Sequence, residues 1–116
     1  MENKVEISNE KLIIIPQGLD KIASFKSKIE IPITNVVGAS IDFGILNENK
    51  GLRTQGTSLP SYWAGNYHKD GEKSFFNIKK DSKPIVIQLR HNEYTRLIIG
   101  ADNPETIVDE INNKIK

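Results

Sequence analysis

Cysteine is absent from the 116-residue sequence, which also lacks long apolar runs and an excess of one charge. The missing cysteine excludes a disulfide framework, a thiolate metal site and a cysteine nucleophile. The longest apolar run, Leu12 to Ile15, is far shorter than the roughly 20 residues that a membrane-spanning helix needs. A net charge of +1 argues against electrostatic nucleic-acid binding, which normally shows a clear basic excess. We therefore expect neither a membrane span nor a nucleic-acid partner.

The N-terminal stretch MENKVEISNEK is polar and has no basic region followed by an apolar run. It does not resemble a signal peptide, so we expect a cytoplasmic protein. Hydrophobic residues make up 37% of the chain and charged residues 27%, which is typical of a globular protein. The length predicts a single domain over residues 1–116.

Short β-branched runs separated by turn residues predict a mainly β fold of about seven strands, over about residues 5–101. The first predicted strand begins near Val5 and continues through Leu12 to Ile15, and LDKIASF follows as a helical turn or wide loop. Ile29, Ile31 and Ile33 alternate as in a half-buried strand. Pro32 cannot donate to a ladder, so we expect an edge position, a bulge or a break there.

Two hairpins are predicted in the second half of the chain. YWAGNYH and KSFFNIKK would pair around Asp70-Gly71, a dipeptide preferred in tight hairpin turns. KPIVIQLR and TRLIIGA would form the second hairpin, around HNEY. GLRTQGTSLPS, which precedes the first hairpin, is predicted to be a long loop.

The C-terminus has helical periodicity over about residues 103–115. Asp102 or Asn103 is a suitable N-cap, Pro104 suits the first helical position, and Glu105 favours the positive end of the helix dipole. Four apolar residues fall on one face and predict packing against the sheet: Ile107, Val108, Ile111 and Ile115.

Four segments cover nearly the whole chain in order: IIPQGLDKIASFKSKIEIPITNVVGA, GLRTQGTSLPSYWAGNYHKDGEKSFFNI, PIVIQLRHNEYTRLIIGADNPE and the terminal helix. Their most specific parts are FKSKIEIPI, YWAGNY with DGEKSFF, and the Asp-Asn-Pro-Glu helix start. In these segments the sequence resembles the bacterial PH (pleckstrin homology-like) domain family, small domains of largely unassigned function. The resemblance implies a curved, nearly closed barrel or roll of antiparallel strands, capped by one C-terminal α-helix. It implies no reaction.

The glycine pattern Gly51-x-Arg53-x-x-Gly56 raises the possibility of a phosphate-binding loop. Such a loop needs a lysine after its second glycine and a following helix, whereas Gly56 precedes Thr-Ser-Leu-Pro and a predicted strand. We interpret these glycines as positions where the main chain crosses a corner of the sheet.

Basic residues are the candidate binding residues. Lys21, Lys26 and Lys28 lie where inositol-phosphate-binding PH domains carry basic residues, and Arg53 is a further candidate at an open end. The family's lipid-binding signature is missing, and acidic neighbours dilute this patch. A solvated surface is the competing interpretation, because lysines are usually exposed.

The remaining motifs predict structure. Trp63 and Tyr67 should share one strand face with Tyr62 on the other, as in a packed core. His68 and His91 lack metal-ligand spacing, and no serine lies in a nucleophile-elbow pattern, so we predict no metal, no cofactor and no enzymatic activity.

The sequence therefore favours a non-enzymatic interaction domain that contacts another protein, or itself, through a sheet edge or loops. Two alternatives stay open. One is peripheral binding to anionic lipid headgroups through the basic loop 18–28. The other is carriage of a small ligand at the open end of the barrel.

Overall fold

The computed structural model describes residues 2–18, 28–59 and 61–116. The described residues form nine strands and one α-helix of more than one turn. The strands are β1 (Asn3–Ser8), β2 (Lys11–Pro16), β3 (Ile29–Pro32), β4 (Val36–Ile41), β5 (Leu52–Leu59), β6 (Tyr62–Lys69), β7 (Glu72–Lys79), β8 (Ile85–Leu89) and β9 (Arg96–Ile99). The helix is α1 (Pro104–Lys114).

The strands form two open sheets. A three-stranded antiparallel sheet has the order β1-β2-β3, and a six-stranded sheet has the order β4-β8-β9-β7-β6-β5. All neighbours are antiparallel except β7 and β9, which are parallel. The prediction of a mainly β fold with one C-terminal helix is confirmed. The predictions of about seven strands, of a wholly antiparallel arrangement and of a nearly closed barrel are wrong.

The N-terminal segment forms a hairpin where one strand was predicted. β1 pairs with β2 from Asn3 opposite Pro16 to Ser8 opposite Lys11. Asn9 and Glu10 turn the chain with φ angles of 52° and 63°. Asparagine tolerates this left-handed conformation well, but a glutamate at the second position gives no turn signal, so the sequence did not reveal the hairpin.

The predicted interruption at Pro32 is confirmed, and it separates the two sheets. β3 ends at Pro32, a single 3₁₀ turn spans Ile33–Asn35, and β4 follows. β3 pairs with β2, whereas β4 pairs with β8. A proline without an N–H cannot continue a ladder, so the chain leaves one sheet here and enters the other.

The hairpin at Asp70-Gly71 is confirmed, with β6 and β7 paired in register from Tyr62 opposite Lys79 to Lys69 opposite Glu72. Both turn residues have positive φ, 53° and 79°. The predicted long loop before it is wrong, because residues 52–59 form β5 and pair along β6. Its polar residues do not alternate with apolar ones, and pairing with β6 determines its conformation.

The main core lies between the three-stranded sheet, α1 and one face of the six-stranded sheet, which we call the inner face. Its fully buried members include Leu12 and Ile14 of β2, Phe75 of β7 and Ile111 of α1. The partly buried Ile107, Val108 and Ile115 pack against the same cluster, which confirms the predicted apolar stripe of the helix. Asn103 occupies the N-cap position with φ 54°, but its side chain makes no capping hydrogen bond.

Candidate functional site

The sequence-predicted basic patch is only partly described. Lys21 and Lys26 lie outside the described residues. Lys28 is exposed, and its ammonium lies 2.8 Å from a carboxylate oxygen of Glu30, which also pairs with Lys11. The hydrogen bond and the negative charge of Glu30 raise the pKa of Lys28. Lys28 thus already has a carboxylate partner, which it shares with Lys11, and this does not favour a lipid-headgroup site at this position.

Arg53 lies elsewhere, on β5 of the six-stranded sheet, whereas Lys28 immediately precedes β3 of the other sheet. Arg53 is exposed, and its guanidinium forms no ion pair or hydrogen bond with any residue that the structure describes. The structure therefore does not bring the two described candidates together. Arg53 is a separate, uncompensated positive charge.

The outer edge of β4 is capped by the helix. The side-chain amide of Asn112 accepts a hydrogen bond from Ala39 N at 2.9 Å and donates one to Ala39 O at 2.8 Å. These are the two bonds that another strand would form at this residue. One side chain of α1 therefore occupies the backbone groups at the middle of this edge strand.

The opposite edge of the six-stranded sheet, β5, has no such cap. No strand pairs with its outer side among residues 2–18, 28–59 and 61–116. β5 is eight residues long, and Leu52 at its start is 71% exposed. By contrast, the edge strand β3 has four residues and ends in Pro32, which cannot donate to a ladder. β5 is thus the longest edge strand of the described structure with no neighbouring strand on its outer side.

A bulge divides β5. The pairing register shifts between Arg53 and Gln55, so a regular ladder runs from Gln55 to Leu59. Gly56 and Gly65 face each other across the β5–β6 pair with φ angles of 113° and 128°. A Cβ on either glycine would collide with the backbone of the opposite strand, so only glycine allows this close approach.

A polar row crosses the other face of the six-stranded sheet, which we call the outer face. Residues that lie directly opposite each other on neighbouring strands point to the same face of the sheet. One residue from each of β5, β6, β7, β9 and β8 lies opposite the next, so the five form a row across the sheet. The row consists of Arg53, Tyr67, Ser74, Arg96 and Gln88. The Arg96 guanidinium donates to Ser74 Oγ at 3.1 Å and lies 2.9 Å from a Glu72 carboxylate oxygen.

Beside the polar row, the outer face is apolar and covered. Its buried residues form a second cluster: Tyr67, Phe76, Ile78, Val86 and Ile98. Ile45 and Leu46, from the connection between β4 and β5, pack on this cluster together with Trp63. Tyr67 and Trp63 share this face, and Tyr62 points to the other, where its hydroxyl donates to Asn77 Oδ1 at 2.7 Å. The predicted alternation is confirmed.

A cavity of about 310 Å³ lies where the β4–β5 connection meets the polar row. We call it the outer-face cavity. Its lining combines Ile45 and Lys50 of the connection with Ser74, Phe76 and Arg96 of the sheet. No local sequence pattern predicts this cavity, because residues from five separate segments line it.

Lys50 has no carboxylate partner within the described part of the chain. Its ammonium donates to Leu46 O at 2.7 Å and lies 4.2 Å from the centre of the Trp63 ring. Partial burial lowers the pKa of Lys50. The Tyr67 hydroxyl, in the same cluster, is buried and has no hydrogen-bond partner among the described residues. Two polar groups of the outer face are therefore left without a full set of partners.

Comparisons with known proteins assign neither family nor function. No protein-family model, no curated protein and no solved structure matches the chain. No helix among the described residues has both the length and the apolar character required to traverse a lipid bilayer. Residues 2–18, 28–59 and 61–116 also contain no group of three or more histidine, aspartate or glutamate side chains placed to hold a metal ion.

Proposed function

We propose that this chain is a non-enzymatic interaction domain that binds an extended segment of another protein along the outer edge of β5. The observation that supports this most directly is the difference between the two ends of the six-stranded sheet. Asn112 occupies the backbone of β4, whereas β5 offers eight residues with no strand beside them in the described structure. Edge strands take up extended peptides through main-chain hydrogen bonds.

The charge on β5 favours an acidic segment. Arg53 is the one charged residue of the strand, it is exposed, and no described residue neutralises it. In a sheet, a side chain interacts with the residue directly opposite on the neighbouring strand and with its diagonal neighbours. A glutamate or aspartate in the added strand would therefore pair with Arg53. Pairing of two β5 strands from two copies would instead add one positive charge from each.

The bulge in β5 defines the expected register. The regular ladder from Gln55 to Leu59 would form the main-chain hydrogen bonds, and Arg53, before the bulge, would contact the flanking part of the bound segment. A bulge also prevents indiscriminate edge pairing, so we expect selective rather than general strand uptake.

Membership of the PH-like family remains part of the proposal. The two packed sheets followed by a C-terminal helix support it. The parallel pairing of β7 with β9 and the six-strand order depart from the antiparallel pattern that the resemblance implies. The proposed function rests on the β5 edge and does not depend on the family.

A panel of labelled extended peptides would test the proposal. Each peptide alternates β-branched and polar residues, with a single glutamate moved along its length, and matched peptides carry lysine instead. Amide chemical shifts should change along β5 and not along β4. The best glutamate peptide should bind roughly twofold to fivefold more tightly than its lysine counterpart, as expected for an exposed ion pair. Arg53→Glu should reverse this preference.

Two controls make the result specific. Lys80→Glu changes an exposed lysine outside β5 by the same charge and should leave the preference for glutamate intact. Two further peptides are N-methylated at every second amide, one at the odd-numbered and one at the even-numbered positions. Only one of these two sets of amides faces β5, so methylation should abolish binding of one peptide and not of the other. Equal binding of both methylated peptides, or no perturbation of β5, contradicts the proposal. If the chain dimerises with increasing concentration and the β5 amide shifts change without peptide, then the occupant of this edge is a second copy of the chain.

A further inference from the structure

The outer-face cavity is separate from the proposed peptide edge and has the size of a small-molecule site. Its volume of about 310 Å³ is at the lower end of the range of roughly 300–1,000 Å³ found for ligand pockets. It combines an apolar part, formed by Ile45, Phe76 and Ile98, with the polar side chains of Ser74 and Gln88. Such a mixture favours a ligand with a compact apolar body and one polar end.

Three cations line the cavity, Lys50, Lys69 and Arg96, and they differ in their surroundings. Lys69 is exposed and forms no ion pair with a described residue. The Arg96 guanidinium is already engaged by Glu72 and Ser74. Lys50 has one hydrogen bond, to Leu46 O, and contacts the rings of Trp63 and Phe76, which lie 4.2 and 5.9 Å from its ammonium. An ammonium has three donors, so two remain for a ligand. Lys50 is therefore a partly desolvated positive charge that lines the cavity and lacks a counter-ion in the described structure.

The rim of the cavity limits the charge of the ligand. Glu48 and Asp70 line it, and neither forms an ion pair with a described residue. With Glu72, they balance the three cations of the lining, so the cavity has no net positive charge. This disfavours an anion with several charges, such as a phosphate, and tolerates a single carboxylate held at Lys50. The same carboxylates would accept hydrogen bonds from an ammonium, if the ligand carries one.

We propose that the outer-face cavity binds a small monocarboxylate with an apolar body, with its carboxylate on the Lys50 ammonium and its body against Ile45, Phe76 and Ile98. The shared chemistry covers both simple carboxylic acids and free apolar amino acids. Binding adds the counter-ion that Lys50 lacks, and it leaves the β5 edge free.

Titration of the full chain with four probes, followed by the amide, Lys50 and Phe76 resonances, tests this inference. The probes are 3-methylbutanoate, the uncharged 3-methylbutan-1-ol, leucine and inorganic phosphate. We expect 3-methylbutanoate to bind with a Kd of about 1 mM, in keeping with its few heavy atoms. The alcohol should bind at least about tenfold more weakly, because it cannot form the charged hydrogen bond. Tighter binding of leucine would mean that Glu48 and Asp70 hold its ammonium, and weaker binding would restrict the site to simple acids.

Two lysine substitutions distinguish binding in the outer-face cavity from nonspecific binding elsewhere on the surface. Lys50→Gln should weaken carboxylate binding by roughly tenfold or more, and Lys80→Gln, which removes an exposed lysine outside the cavity, should not change it. Urea unfolding of both variants confirms that each is folded under the titration conditions. Equal affinity for acid and alcohol, tighter binding of phosphate, undiminished binding to the Lys50 variant, or unperturbed Lys50 and Phe76 resonances each overturns the proposal. None of these results affects the peptide edge.

Discussion

Replacing Asn112 by alanine tests how α1 holds the edge of the six-stranded sheet. The side-chain amide forms two hydrogen bonds with the backbone of Ala39, at 2.9 and 2.8 Å. Asn113 is the adjacent residue of the same helix, is exposed, and has no side-chain hydrogen bond within the described structure. Asn113→Ala is therefore a matched control for the change in residue type.

The magnitude follows from these two bonds. A hydrogen bond within a protein contributes about 0.5–1.5 kcal/mol net, so the pair contributes about 1–3 kcal/mol. Alanine is a better helix former than asparagine by about 0.6 kcal/mol, and both variants gain this equally. We expect Asn113→Ala to be neutral or slightly stabilising. The free energy of unfolding of Asn112→Ala should be lower than that of Asn113→Ala by about 1–3 kcal/mol.

Urea unfolding followed by Trp63 fluorescence measures the difference in stability, and hydrogen exchange of the Ala39 amide reports the edge itself. The exchange of this amide should become faster in Asn112→Ala than in Asn113→Ala. If the two variants unfold with equal free energy and protect Ala39 equally, then Asn112 does not cap β4. In that case the contrast between the two sheet edges loses its basis.

Two further predictions concern a buried phenol and the glycine pair. Burial raises the pKa of Tyr94 to about 12 from an ordinary value of 10.0. The contribution of the neutral phenol to stability is therefore complete below pH 10 and is lost as the pH rises from 10 towards 12. Urea unfolding over this pH range should show this loss in the unsubstituted chain and not in Tyr94→Phe. Gly65→Ala places a Cβ against Gln55 O at a φ of 128°, whereas a Cβ at Gly71 meets no atom within 4 Å at a φ of 79°. Gly65→Ala should therefore lower the free energy of unfolding by at least about 2 kcal/mol more than Gly71→Ala. Equal thermal stability of the two variants would contradict the close approach of β5 and β6.

The elements that the sequence predicted correctly depend on local signals. Asp70-Gly71 can adopt the positive φ angles of a tight turn, Pro32 must interrupt a ladder, and Pro104 begins a helix whose apolar residues recur with its period. Each signal acts within a few residues, so neighbouring residues suffice to predict its effect.

The elements that the sequence missed depend on distant parts of the chain. β5 has no apolar alternation, and its partner β6 makes it a strand. The parallel pairing of β7 with β9 and the outer-face cavity depend on how separate segments pack. Arg53 was a candidate because it is a basic residue expected at an open end of the barrel, but its place at a sheet edge requires the strand order. Lys50 had no signal, because its place in the cavity and its lack of an ion pair in the described structure depend on how the β4–β5 connection packs on the sheet.

The change of sheet at Pro32 has a consequence for synthesis of the chain. β1, β2 and β3 pair with one another within residues 3–32, apart from an isolated parallel bridge between Asn3 and Ala101, so the ladders of this sheet can form as soon as these strands leave the ribosome. β4 must wait for β8, because no earlier strand among the described residues pairs with it. From Ile41 to Ile85 this takes roughly 2–9 s at about 5–20 residues per second. During that interval, both edges of β4 are without a partner in the nascent chain, which is the state most suited to recognition by a chaperone.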